Sequence, residues 1–162
     1  MTRVTLHEPA PEGLANAMIE VCAGMPIELE LMLESVIDGV LVTGSATAHL
    51  RGTCGRCLTE ITAELTVEIS DLFRYVDQID ALDPEDELPV LDGDLLDMAT
   101  TVRDALLLAL PLSPHCREDC LGLCPQCGVR LNDQPAHQHD QTDSRWAALA
   151  GIFPADRPAS PN

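Results

Sequence analysis

From Met25 to Tyr75 the chain alternates apolar and polar side chains with few interruptions. Ile27, Leu29, Leu31 and Leu33 alternate with Glu28, Glu30, Met32 and Glu34. Val40, Val42, Ala46, Ala48 and Leu50 alternate with Leu41, Thr43, Ser45, Thr47 and His49. Ile61, Ala63, Leu65, Val67 and Ile69 alternate with Thr62, Glu64, Thr66 and Glu68. A period of two is that of a strand with one buried and one wet face. Asp38-Gly39 between the first two runs is a hairpin signal, and Gly52 to Gly55 separates the second run from the third. The pattern predicts a three-stranded antiparallel meander over 25–75. Residues 1–24 contain Pro9, Pro11 and Gly13, show no period, and read as a loose lead-in.

After the meander the period changes. Leu95, Met98, Ala99, Val102, Leu106 and Leu110 recur at helical spacing, which predicts a helix over 94–110 with one face on the sheet. Asp92 or Asp94 would cap it, Asp97 favours the positive end of its dipole, and Pro111 ends it. Residues 111–132 are dense in cysteine. Residues 144–152 carry Trp146, Leu149 and Ile152 and read as a short amphipathic helix, followed by a Pro-rich, disordered tail over 153–162. The expected fold is therefore α+β. An antiparallel β-meander is packed by one amphipathic helix and followed by a cysteine-rich metal knot and a short C-terminal helix. Residues 25–152 form one domain.

The cysteines supply the candidate chemistry. Cys54 and Cys57 form one CxxC pair; Cys124 and Cys127 form another within Cys124-Pro125-Gln126-Cys127-Gly128. Two thiolates separated by two residues grip one tetrahedral ion from a tight turn. Pro125 pre-sets that turn, and Gly128 tolerates the twist that aims amides at the sulfurs. Two ligand sets are open. The preferred one is local: Cys116, Cys120, Cys124 and Cys127. The alternative pairs the two knuckles, Cys54 and Cys57 with Cys124 and Cys127, as in a zinc ribbon. Either set is closed, so the predicted ion is a structural zinc and not a catalytic one. His115, His137 and His139 are possible substitutes but read first as surface histidines. Cys22 stands alone in an apolar segment and reads as an inert thiol. A redox reading of Cys54 and Cys57 lacks the helix N-terminus that activates such thiols.

Composition alters the expected partners more than the fold. Of the 162 residues, 27 are acidic and 9 basic, all of them arginine, for a net charge of −18. The aromatics are Phe73, Tyr75, Trp146 and Phe153, so the core must be aliphatic. Such a charge repels phosphate and argues against autonomous, salt-driven binding to nucleic acid or anionic membranes. No apolar run has the length of a membrane span. The first ten residues lack the apolar centre of an export signal. A cytoplasmic location with reduced thiols is therefore expected. Residues 77–97 carry nine acids and no base. The part over 76–93 reads as a solvated loop. Within it, Asp77, Asp80, Asp83, Glu85, Asp86 and Glu87 form a docking surface for a basic partner. Arg51, Arg56, Arg117, Arg130 and Arg145 flank the cysteine groups as candidate RNA contacts, although scattered arginines pairing with the abundant acids are the simpler reading. No nucleophile–base pair, paired catalytic carboxylates or phosphate-cradling loop appears, so no enzyme is expected.

Taken together these blocks resemble a known family. The resemblance rests on Leu33-Glu34-Ser35-Val36 with Gly39 through Gly44, on Cys54-Gly55-Arg56-Cys57-Leu58, and on Asp97 through Arg103-Asp104 with Leu108 through Pro111. It is densest in Cys116 through Gly128 with Leu131-Asn132, and ends with Asp143 through Leu149. The chain is similar here to the YceD-like family, the large ribosomal RNA subunit accumulation proteins. The resemblance implies a non-enzymatic, cytoplasmic role in making or stabilising large-subunit ribosomal RNA. Given the charge, the RNA is expected to be reached through a basic ribosomal protein or a processing enzyme. Direct RNA binding at the metal-bearing end is the alternative, and a thiol oxidoreductase using Cys54 and Cys57 a second.

Overall fold

The alternating segments form one five-stranded antiparallel sheet, seen in a computed structural model that describes residues 1–76 and 89–139. Its strands are β1 (Thr2–Pro9), β2 (Ile19–Val21), β3 (Pro26–Val36), β4 (Gly39–Thr53) and β5 (Glu60–Arg74). One helix, α1 (Ala99–Ala109), occurs among the described residues. β4 organises the sheet. β5 pairs along all of one edge, from Gly39↔Arg74 to Thr53↔Glu60. On the other edge β3 covers the first part, from Val36↔Gly39 to Glu28↔Thr47, and β2 the last, Val21↔Leu50 to Ile19↔Gly52. β1 then pairs with the outer edge of β3.

The predicted meander is present, and its register aligns the apolar positions. Leu29, Ala46 and Val67 lie side by side across three strands, as do Leu31, Gly44 and Ile69. These residues share one face, where Ile27, Val42, Ala48, Leu50 and Phe73 are also buried. At Gly44 a Cβ would stand 2.0 Å from the Glu30 carbonyl oxygen, so only glycine fits that rung. α1 lays Val102 and Leu106 on this face, and Leu110 follows them inward. Each fully buried side chain of this kind contributes about 1.5–3 kcal/mol.

Two expectations need correction. Residues 1–24 are not a loose lead-in, because β1 and β2 lie there. β1 is held by its backbone ladder to β3 while nearly all its side chains stay exposed, so its composition carries little signal. Pro9 and Pro11 lie at its end. Asn16 then anchors the following loop. Its Oδ1 accepts the amides of Met18 and Ile19 at 2.9 and 3.1 Å, and its Nδ2 donates to the Pro111 carbonyl at 3.1 Å.

The helix begins at Ala99 and not at residue 94. Asp92 and Leu95 exchange backbone hydrogen bonds in a tight turn through Gly93, whose φ is +60°. Asp97, not Asp92 or Asp94, meets the first turn: its Oδ1 accepts the Ala99 amide at 2.9 Å. Leu95 is consequently exposed and off the packing face. Leu110 is extended, as a residue before proline must be. Of the acidic loop expected over 76–93, residues 77–88 lie outside the described residues. Residues 89–91 run beside the end of β5: Arg74 donates to the Pro89 carbonyl, and Leu91 donates to that of Arg74 and is buried. The expected helix over 144–152 and the tail over 153–162 also lie outside the described residues. No described helix is long and apolar enough to cross a membrane.

Candidate metal centres

β4 delivers Cys54 directly after Thr53, and the turn back to β5 contains Cys57. This turn has a definite backbone form. The Cys54 amide donates to the Thr59 carbonyl at 2.8 Å, and the Leu58 amide donates to the Cys54 carbonyl at 3.0 Å. The same pair of bonds recurs at the second CxxC. The Cys124 amide donates to Val129 and the Gly128 amide to Cys124, both at 2.8 Å. The residue after the second cysteine is left-handed in both turns: Leu58 has φ +57° and Gly128 φ +74°. The twist puts amides in line with the first sulfur of each pair. Those of Cys57 and Arg56 reach Cys54; those of Cys127 and Gln126 reach Cys124.

The four thiols Cys54, Cys57, Cys116 and Cys120 form one group, with every sulfur within 4.8 Å of the others. Cys54 Sγ lies 3.9 Å from Cys120 Sγ, and Cys57 Sγ lies 3.5 Å from Cys116 Sγ. These values bracket the edge of about 3.8 Å that a tetrahedral ion with bonds of about 2.3 Å requires. Cys54, Cys57 and Cys120 are buried; Cys116 is exposed. Side chains around the sulfurs complete the cage. Asn132 Nδ2 donates to Cys120 Sγ at 3.2 Å while its Oδ1 accepts the Leu121 amide at 2.8 Å. Arg56 donates to the Cys120 carbonyl at 3.0 Å, and the Gly55 amide to that of Pro114 at 2.8 Å. The segment after α1 is thereby fastened over the β4–β5 turn.

A second group consists of Cys124, Cys127, His137 and His139, again within 4.8 Å of one another. Both imidazole Nε2 atoms lie 3.2 Å from Cys127 Sγ and 2.8 Å from each other.

Neither ligand set expected from the sequence is gathered. The local set divides: Cys116 and Cys120 close on Cys54 and Cys57, and Cys124 and Cys127 close on the histidines. The paired-knuckle set divides as well. After Cys120 the chain enters a tight hairpin, bridged at Leu123↔Arg130 and closed by the Leu131 amide on the Gly122 carbonyl. That hairpin holds the second knuckle, and the chain leaving it brings back the two histidines. His137 and His139 are therefore members of a donor set rather than isolated surface residues; His115 joins neither group. Their separation by one residue, just downstream of a CxxC, is the signal that marks them. Cys22 also lies outside both groups, half-buried, with its amide on the His49 carbonyl.

The thiols of the first group do not ionise alike. Burial pushes Cys54 up, but amides of Cys57, Cys116 and Arg56 together outweigh it and bring it down to about 5. The Thr59 hydroxyl and amide lower Cys57. Cys116 is pushed up to about 12 by its hydrogen bond to Cys57, by burial and by its other sulfur neighbours. Amides of Cys127 and Gln126 lower Cys124. The knuckles stabilise thiolates, and the crowding makes the last thiol hard to ionise without a cation to share.

The candidate arginines are spread over local contacts. Arg51 pairs with Glu20 at 2.7 Å, Arg117 with Asp119 at 3.4 Å, and Arg56 is engaged with Cys120 as above. Arg130 is exposed on the second hairpin. Arg145, and the acidic candidates Asp77, Asp80, Asp83, Glu85, Asp86 and Glu87, lie outside the described residues.

The family model described as large ribosomal RNA subunit accumulation protein YceD matches residues 42–153, which takes in most of β4, all of β5 and α1, and both candidate donor groups. The chain belongs to the YceD family. This YceD-family chain is 44% identical over 150 residues to the uncharacterized protein Rv2926c of Mycobacterium tuberculosis, covering 92% of this chain and 72% of the relative. An uncharacterized protein of Mycobacterium bovis, Mb2951c, matches to the same extent. ML1660 of Mycobacterium leprae, also uncharacterized, is 39% identical over 156 residues, 95% of this chain and 70% of its own length. No solved structure matches. The YceD description names an accumulation protein for the large ribosomal RNA subunit and no reaction.

Proposed function

We propose that this protein is a non-enzymatic, cytoplasmic factor for large-subunit ribosomal RNA accumulation and ribosome assembly, built around a structural zinc ion at Cys54, Cys57, Cys116 and Cys120. The YceD match carries the reading, because over residues 42–153 it takes in most of β4, all of β5 and α1, and both donor groups. Four thiolates leave no open position for a substrate, which supports a structural ion. Zinc suits such a set, since thiolate donors in a tetrahedral array favour it.

The charge supports an indirect route to RNA. A net charge of −18 repels phosphate. On the outer face of the sheet, Glu28, Glu30, Glu64 and Glu68 are exposed, adding to the acids of residues 77–97. A basic large-subunit protein or processing enzyme is the partner this surface would steer. Direct contact through Arg56 and Arg130 is the competing reading. The thiol-oxidoreductase reading is the least supported. Cys54 has the lowered thiol pKa it needs, but its sulfur is buried among three other thiols.

The test is a low-salt pull-down with the full chain, with and without ribonuclease. A basic protein retained after nuclease and released by salt is expected. RNA bound by the purified chain alone, with a steep salt slope, would favour direct contact. An unchanged level of large-subunit RNA in cells lacking the protein would refute the role itself.

A further inference from the structure

The geometry points to a second, independent metal site at Cys124, Cys127, His137 and His139, holding a zinc ion that exchanges with solvent while the four-thiolate ion stays. The inference stands apart from the ribosomal reading, because it concerns only donor chemistry and access. Two thiolates and two imidazoles form a complete tetrahedral set for zinc. Cys127 Sγ, His137 Nε2 and His139 Nε2 converge on one point, at mutual distances of 3.2, 3.2 and 2.8 Å. A zinc ion with bonds of about 2.0–2.3 Å sets its ligands about 3.3–3.8 Å apart, so a small outward adjustment seats it. Amides of Cys127 and Gln126 already aim at Cys124, the fourth ligand.

The two sites differ in construction. The first joins the β4–β5 turn to the segment after α1; of its four residues Cys54, Cys57 and Cys120 are 0%, 1% and 4% exposed, and Cys116 alone is exposed. The second draws every ligand from residues 124–139, two from a hairpin closed on itself and two from the chain that leaves it. Cys127 is exposed and both histidines are only half-buried. An open groove of about 370 Å³, lined by Cys124, Pro125, Leu131, His137, Gln138 and His139, lies against the donors. A chelator can approach there without opening the sheet. The charges differ too: two thiolates neutralise zinc, whereas four leave a net negative centre.

The full chain, purified reduced with zinc, tests this. Metal analysis should give two zinc ions per chain, and the chromophoric chelator 4-(2-pyridylazo)resorcinol should remove them in a fast and a slow phase. His137→Ala/His139→Ala should hold one zinc, lose the fast phase, and keep the slow phase and the far-ultraviolet spectrum. Cobalt added to the metal-free chain should give two spectra. The four-thiolate ion should show the stronger sulfur-to-metal absorption, and it alone should remain in the histidine variant. One zinc in the native chain that the histidine variant retains would overturn the proposal, as would two that it retains. A fast phase lost in Cys54→Ser/Cys57→Ser but not in the histidine variant would overturn it equally. A native chain without metal would sink both sites at once.

Discussion

The twin knuckles allow a test in which glycine and alanine exchange their usual ranks. Leu58 and Gly128 occupy the same left-handed position, one with a side chain and one without. At Gly128 a Cβ would meet nothing within 4 Å, so Gly128→Ala is felt by the backbone alone. The left-handed conformation costs an L-residue about 1–2 kcal/mol. The stiffer unfolded chain returns about 0.4–1 kcal/mol. A net loss of about 1 kcal/mol is expected. Leu58 is 56% exposed, so truncating it forfeits part of the about 1.5–3 kcal/mol that full burial of leucine is worth. Leu58→Ala keeps the backbone strain and loses that cover. Leu58→Gly loses the same cover but relieves the strain. Glycine should therefore be more stable than alanine at position 58 by about 0.5–1 kcal/mol, whereas in a helix or strand interior it is worse by about as much. Urea unfolding of the zinc-loaded variants, read by circular dichroism, ranks them. If Leu58→Ala matches or exceeds Leu58→Gly, the turn is not held in the left-handed form and the equivalence of the knuckles fails.

Three further outcomes are expected. Leu106→Ala, at a residue 0% exposed between α1 and the sheet, should cost about 2–5 kcal/mol in urea unfolding; a loss below 1 kcal/mol would mean the helix is not docked there. Asn132→Ala removes the donor to Cys120 Sγ and the acceptor for Leu121, and should weaken zinc at the four-thiolate site about 10–100-fold in a competition titration. Unchanged affinity would show that the amide plays no part. In the metal-free protein, Cys54 is lowered from the ordinary 9.0 to about 5, so the stability it contributes is present above pH 9 and lost as pH falls towards 5. Cys54 is therefore already ionised at pH 7, and zinc entering the four thiols should release at most three protons. Calorimetry of the His137→Ala/His139→Ala variant in buffers of different ionisation enthalpy counts them, and four would contradict the assignment.

Strands β3, β4 and β5 were legible because each buries one face and wets the other, so the period of two survives in the residue types. β1 was not. It is an edge strand whose side chains are mostly exposed, and its stability comes from backbone pairing that leaves no mark on composition. The start of α1 was displaced because three acids at 92, 94 and 97 are equivalent as caps in the sequence, and only Gly93's left-handed turn decides among them. Each CxxC announced a tight turn that presents two thiols, since knuckle geometry is local. The partners of the first turn were not local. They depend on where the segment after α1 is laid, which Asn16, Gly55 and Arg56 fix from distant parts of the chain.

The span of the four-thiolate group bears on how the chain is made. Cys57 and its partner Cys116 are separated by 59 positions. At about 5–20 residues per second, synthesis leaves the first knuckle without its partners for about three to twelve seconds. All five strands have been translated before that wait ends. The sheet can thus serve as a template on which the four thiols gather, with Thr53 holding Cys54 in register until the later thiols emerge. In the interval Cys54 and Cys57 stand without their later sulfur neighbours, and thiols left open in this way are the ones an oxidant reaches first.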